Sequence, residues 1–191
     1  MSRPRLIALA LVTLILASAA RLTAADEAVE LALGEDGKLT LQAPKDWTKK
    51  KPATNIVQYE FAIPKAEGDP ADGRVTVMGA GGSVEANIER WVGQFQTPDG
   101  KALPKEKSRI DKTKVGNFEV HLVDLNGTYK DTAGGPFAGG KTTLRDDYRM
   151  LGAIIIGGDQ GNYFVKAYGP KKTMDGQQKA FTTMIESLKS K

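Results

Sequence analysis

The chain has no cysteine and a single histidine among its 191 residues. Without thiols there are no disulfides, thiolate metal sites, iron–sulfur clusters or cysteine nucleophiles. One histidine excludes the zinc centres built on several imidazoles. An excess of one charge is also missing. Of 27 Lys+Arg, Arg3, Arg5 and Arg21 precede the first acidic residue, Asp26, which leaves 24 basic against 23 acidic groups from there on. A body so close to neutrality lacks the electrostatic footprint that a phosphate backbone demands, and no nucleic-acid partner is expected. Long apolar runs are lacking too. The longest starts at Leu6 and ends by Ala20, ahead of Arg21, and falls short of the roughly 17–25 residues that a membrane-spanning helix needs.

What the N-terminus does hold is a basic start (Arg3, Arg5), that apolar run, and small residues leading to Thr23, Ala24 and Ala25. This is the pattern of a cleaved secretory signal peptide. Cuts after Ala20 and after Ala25 both fit, and the acidic Asp26-Glu27 beyond favours the second. Residues 1–25 are therefore read as the signal peptide and 26–191 as one exported domain, periplasmic or secreted, with no permanent membrane anchor after cleavage. No cysteine stands at the cut to carry a lipid. A domain of that size buries roughly 70% of its unfolded-chain surface, enough for a packed core without disulfides.

No Pro/Ser-rich linker or charge block divides the remainder. Residues 28–33 and 38–41 alternate apolar and polar around Gly34-Glu35-Asp36-Gly37, a hairpin signal. Pro44 and Trp47 close the second strand. Residues 55–63 place Val57, Tyr59, Phe61 and Ile63 on one face at period two. A strand over 74–78 then runs into Gly79-Ala80-Gly81-Gly82-Ser83 and a helix over 84–96, whose Val84, Ile88, Trp91, Val92 and Phe95 form one stripe. Ser83 is its expected N-cap. Residues 110–115 and 118–129 make a second hairpin about Gly116-Asn117, and 148–156 and 162–168 a third. Ile154, Ile155 and Ile156 suit a strand covered on both faces. A closing helix over 173–189 carries Met174, Gln177, Phe181, Met184, Ile185 and Leu188. The expected class is α+β: a largely antiparallel sheet of about seven to eight strands with two main helices.

With Ala43-Pro44-Lys45-Asp46-Trp47 at a strand end, a mid-chain strand leading to an amphipathic helix, and the closing helix of Phe181, Met184, Ile185 and Leu188, the layout resembles the PsbP-like α/β/α sandwich, which includes the DcrB-like group. The stretch Val75-Thr76-Val77-Met78-Gly79-Ala80-Gly81-Gly82-Ser83 also resembles uncharacterised secreted bacterial proteins. The resemblance implies an accessory or binding role, supplies no catalytic residues, and is an analogy of fold.

Candidate ligand-binding residues are few. Gly81, Gly82 and Ser83 lie where backbone N–H groups and a helix dipole meet, a place for an anion, although small residues also serve a sharp strand-to-helix turn. They match neither G-x-G-x-x-G nor the P-loop. Phe137, set among Gly134, Gly135, Gly139 and Gly140, has no strand or helix face to bury it, and its loop either folds back on the sheet or forms a docking tip. His121 supports a rival reading, a cell-envelope hydrolase using that imidazole with a carboxylate, but Asp124 falls on the opposite face of a regular strand. Asp124, Asn126, Asp131, Asp146 and Asp147 support a third, an anion or calcium sensor, without the spacing of an EF-hand loop. No G-x-S-x-G elbow is present. The first reading is thus a non-enzymatic exported accessory or binding module, its ligand or protein partner undefined, with no cofactor and no metal site expected.

Overall fold

The computed structural model describes residues 28–34, 36–133, 139–157 and 161–191, with Ala80 described by its backbone alone. In chain order the strands are β1 (Val29–Leu33), β2 (Leu39–Ala43), β3 (Thr48–Lys50), β4 (Tyr59–Ile63) and β5 (Gly73–Ala80). Helix α1 (Val84–Val92) follows, then β6 (Phe95–Gln96), β7 (Ser108–Val115), β8 (Phe118–Thr132), β9 (Thr142–Ile156) and β10 (Asn162–Pro170). Helix α2 (Lys171–Glu186) and β11 (Lys189–Ser190) close the chain.

Eight strands form the main sheet in the order β3-β4-β5-β10-β9-β8-β6, with β7 on a separate stretch of β8, and every pairing is antiparallel. The expected class and strand number hold. A second sheet, β1-β2-β11, contains the first hairpin, with Leu31 opposite Leu41 and Leu33 opposite Leu39.

Period-two alternation gives the main sheet two apolar faces. On one, Phe61, Ile63, Val75, Val77, Ala153, Ile155, Val165 and Ala167 pack with Met174, Phe181, Met184 and Ile185 of α2 and with the small sheet. On the other, Val123, Leu125, Met150, Ile154 and Phe164 pack with Ile88 and Trp91 of α1 and with Phe95. Each side chain fully removed from water contributes roughly 1.5–3 kcal/mol. The product is three layers, with the sheet covered on both sides, as the isoleucine triplet predicts for β9. Trp47 plugs one end, its ring 6.3 Å from Phe61 and its Nε1–H donating to Gln177 Oε1 at 2.8 Å.

Several boundaries differ from the sequence expectation: β8 runs to Thr132 rather than 129 and β9 begins at Thr142 rather than 148, and four others have a local cause. The expected strand over 55–63 begins only at Tyr59, because a turn closes first with Val57 N–H on Thr54 O. Gly79 and Ala80 are not loop residues: they pair with Tyr163 and Asn162 and extend β5. Helix α1 stops at Val92, where Gly93 caps it by donating to Glu89 O, and Phe95 reaches the same core from β6, opposite Tyr129. Helix α2 ends at Glu186, after which Leu188 is buried and residues 189–190 join β2. In the last two cases a buried side chain continues the apolar stripe after the backbone has left the helix, so periodicity alone overruns the end.

Candidate functional site

The predicted residues Gly81, Gly82 and Ser83 form the approach to α1. Ser83 Oγ accepts from Ala86 N–H at 3.2 Å, the N-cap read from sequence. Gly82 has φ +89°, and the Asn87 side-chain amide folds back to donate to Gly81 O and Ser83 O at 3.3 and 2.8 Å. Phe137 lies outside the described residues. His121 does meet a carboxylate, though from its own strand: its Nε2 is 2.8 Å from Glu119 Oε1. Glu119 also binds Lys112 at 2.7 Å, and its carboxyl is held below the ordinary glutamate value by Lys112 first and His121 second. Asp124 is on the opposite face from His121, as strand alternation predicts, where it binds Arg149. The other acidic candidates are spread out. Asp146 accepts from Thr128 Oγ1 at 2.7 Å and Asp131 pairs with Arg145 at 3.3 Å, and no cluster of three or more His, Asp or Glu suited to a metal forms among the described residues.

What the fold builds around β8 and β9 is more distinctive. Strand β10 ends at Pro170, opposite Tyr148, yet β8 and β9 run on together, pairing residues 129–132 with 142–145. At the junction Asp146 and Asp147 of β9 stand against the single Thr128 of β8, and Asp147 takes φ +53°. Such a bulge increases the local twist and re-aims the strands beyond it. Residues 142–147 are all exposed, and Leu144 presents 55% of its surface to solvent. The result is a two-stranded ribbon over residues 129–132 and 142–145.

The root of the ribbon is a tyrosine cluster on the α1 side. The Tyr129 ring lies 5.2 Å from Phe95 and 4.9 Å from Tyr168 and stacks on Tyr148 at 6.1 Å, with 6° between the two planes. Burial pushes the Tyr129 phenol well above its ordinary value, as it does Tyr148 to a lesser degree. Lys166, from β10, places its Nζ 5.2 Å from the centroid of the Tyr129 ring and 4.8 Å from that of Tyr168, and donates to Gln94 Oε1. The residue as a whole is half-buried, but its amine is enclosed. Arg74 adds a second cation at the edge: it grips Glu60 through Nε and Nη2, both at 2.9 Å, and donates from Nη1 to Tyr168 at 3.1 Å. Burial first, and Arg74 second, bring the Lys166 amine down to about 7.

The unfolded chain therefore keeps a proton on Lys166 up to about pH 10.4, while the folded chain gives it up near 7. Stability is expected to rise with pH across that window, by at most about 1.4 kcal/mol per unit, and to level off on either side. Urea unfolding at pH 6, 7.5 and 9 checks it, with Lys166→Met losing that component of the slope.

A second polar group lies across the sheet. Arg149 is buried and spans from β9 to α2: Nε and Nη2 bind Asp124 at 2.9 and 2.7 Å, Nη1 binds Asp175 at 2.9 Å, and Nη2 reaches Gln178 at 2.8 Å. Beside it a cleft of about 90 Å³ is lined by Arg109, Asp111, Leu122, Asp124, Gln178 and Phe181, small against the several hundred Å³ of drug-sized ligand pockets. Sequence reading passed over both Arg149 and Lys166. The available signal was a lone cation within an otherwise apolar strand, Tyr148-Arg149-Met150-Leu151 and Phe164-Val165-Lys166-Ala167-Tyr168.

No family model and no curated protein matches the chain. Among solved structures, the solution structure of cyanobacterial PsbP (CyanoP) from Synechocystis sp. PCC 6803 superposes with a TM-score of 0.51 at 11% identity, over 92% of this chain and 99% of that one. The fold is PsbP-like. The crystal structure of LpqN, described as involved in cell envelope biogenesis of Mycobacterium tuberculosis, also aligns, at TM-score 0.46 and 11% identity over 78% and 81% of the two chains; the assignment rests on the first. Within this PsbP-like fold, no helix among the described residues is long and apolar enough to cross a membrane.

Proposed function

We propose that the protein is an exported, non-enzymatic accessory or binding module that engages a partner protein through its glycine-rich loops, with the β8–β9 ribbon as the principal contact. The single observation that carries this reading is the ribbon itself: four residue pairs beyond the end of β10, wholly exposed along residues 142–147, with Leu144 as an exposed apolar side chain. A projecting edge of this kind offers unpaired backbone groups for strand addition and an apolar side chain for anchoring. Phe137, outside the described residues, and Gly81, Gly82 and Ser83 are proposed as further contacts. Export follows from the signal-peptide pattern of residues 1–25, and the PsbP-like fold agrees with an accessory role by analogy.

The test is co-purification from the envelope of the host, read by intact mass, for the natural chain and for a variant in which residues 131–143 are replaced by a two-residue Asn-Gly turn and Leu144 by serine. The shortened chain is expected to keep its unfolding midpoint, since none of the described residues that it loses belongs to either core, and to lose a stoichiometric companion that the natural chain retains. An equal yield of that companion from both chains, or none with the natural chain, overturns the ribbon as the contact.

A further inference from the structure

We propose that Lys166 makes the seating of the ribbon sensitive to pH, so that acidification releases the ribbon from the tyrosine cluster. Its functional meaning rests on the ribbon being the contact element, while the switch itself is a property of the free protein.

The geometry links one amine to the ribbon by two routes. Gln94 accepts from Lys166 through its side chain, and through its backbone carbonyl it accepts the N–H of Lys130, in the ribbon, at 2.8 Å. Tyr129, at the base of the ribbon, lays its ring against the same amine. Departure of the Gln94 turn or of Tyr129 would remove a contact of the Lys166 amine and bring water to it.

The charged groups around it favour a neutral amine. No carboxylate forms an ion pair with Lys166 among the described residues. Glu60 on β4 is taken by Arg74 on β5, whose guanidinium opposes a second positive charge. Asp131 on β8 attracts the ammonium from a distance but is paired with Arg145 on β9. Tyr129, Tyr148 and Tyr168 carry no negative charge partnering the amine and offer ring faces, with Lys166 Nζ 5.2 Å and 4.8 Å from the Tyr129 and Tyr168 centroids, which offset only part of the lost hydration. Gln94, from the turn after α1, is uncharged. A proton on Lys166 is therefore bound more tightly when the cluster opens, and by linkage each proton taken up favours opening.

Amide hydrogen exchange tests this on the free full-length protein. After correction for intrinsic rates, protection at residues 130–132 and 142–144 is expected to grow about thirtyfold from pH 6 to 8.5, and to be flat over that range in Lys166→Met. Amides at residues 150–155 report whether that variant is folded. Should it not fold, Lys166→Arg, charged throughout, is expected to show weak and pH-independent ribbon protection. Ribbon protection that does not change with pH in the natural chain, or a pH dependence that survives either substitution, overturns the proposal. So does a Lys166 ¹³Cε titration midpoint above pH 9. Failure here leaves the co-purification result untouched, and the reverse also holds.

Discussion

Replacing Arg149 by alanine is expected to cost about 3–5 kcal/mol and to loosen α2 from the sheet. The side chain is buried and satisfies acceptors on two elements, Asp124 on β8 and Asp175 with Gln178 on α2. Removing the guanidinium strands Asp124 in a half-buried site with Asn126 as its remaining hydrogen-bond partner at 3.2 Å, and leaving a charge unpaired costs more than the pair itself contributes. Arg149→Lys should recover little, because an ammonium on a flexible stem cannot bind three acceptors in the planes that the guanidinium fork matches. Asp124 together with Arg149 changed to Asn and Met should be milder than Arg149→Ala alone, since no lone carboxylate remains. Urea unfolding of the three variants ranks them, and equal stability of Arg149→Lys and the natural chain would contradict the bidentate account.

Gly152→Val is expected to be comparably damaging, by about 3 kcal/mol. Gly152 sits in the middle of β9 with the Trp91 ring laid over it: a Cβ there would stand 2.5 Å from Cζ3 and 3.0 Å from Cε3. Trp91 is itself buried and meets Phe164 edge-on, with centroids at 6.0 Å and planes at 87°. A side chain at 152 must lift α1 off the sheet or drive the indole from its rotamer. Trp91→Leu added to Gly152→Val should restore part of the loss, and the coupling in a double-mutant cycle measures the contact. Tryptophan emission offers an independent reading: Gly152→Val should shift it to the red as the indole gains water, and an unshifted spectrum with full stability would sink the packing argument.

The local choices were written in the chain. Alternation at Leu31, Leu33, Leu39 and Leu41, the Gly116-Asn117 turn, the Ser83 cap, and the stripes of Ile88 with Trp91 and of Met174 with Phe181 and Met184 each name an element and its inner face. Such features depend on neighbours within a few residues, so sequence spacing carries them. Together they predict an antiparallel α+β layout, and the PsbP-like fold agrees with it. Strand order is another matter. That β10 lies between β5 and β9, that β6 leaves α1 to pair with Tyr129, and that β11 joins β2 are set by which apolar faces fill the same core, a property of pairs distant in sequence. The polar clusters are of the same kind. Lys166, Gln94, Tyr129 and Arg74 are separated by dozens of residues, and Arg149 finds its acceptors on β8 and α2. A proton affinity, a buried ion pair and a projecting ribbon arise only when burial removes water from groups that the chain itself keeps far apart, and that is why the tertiary structure decided them.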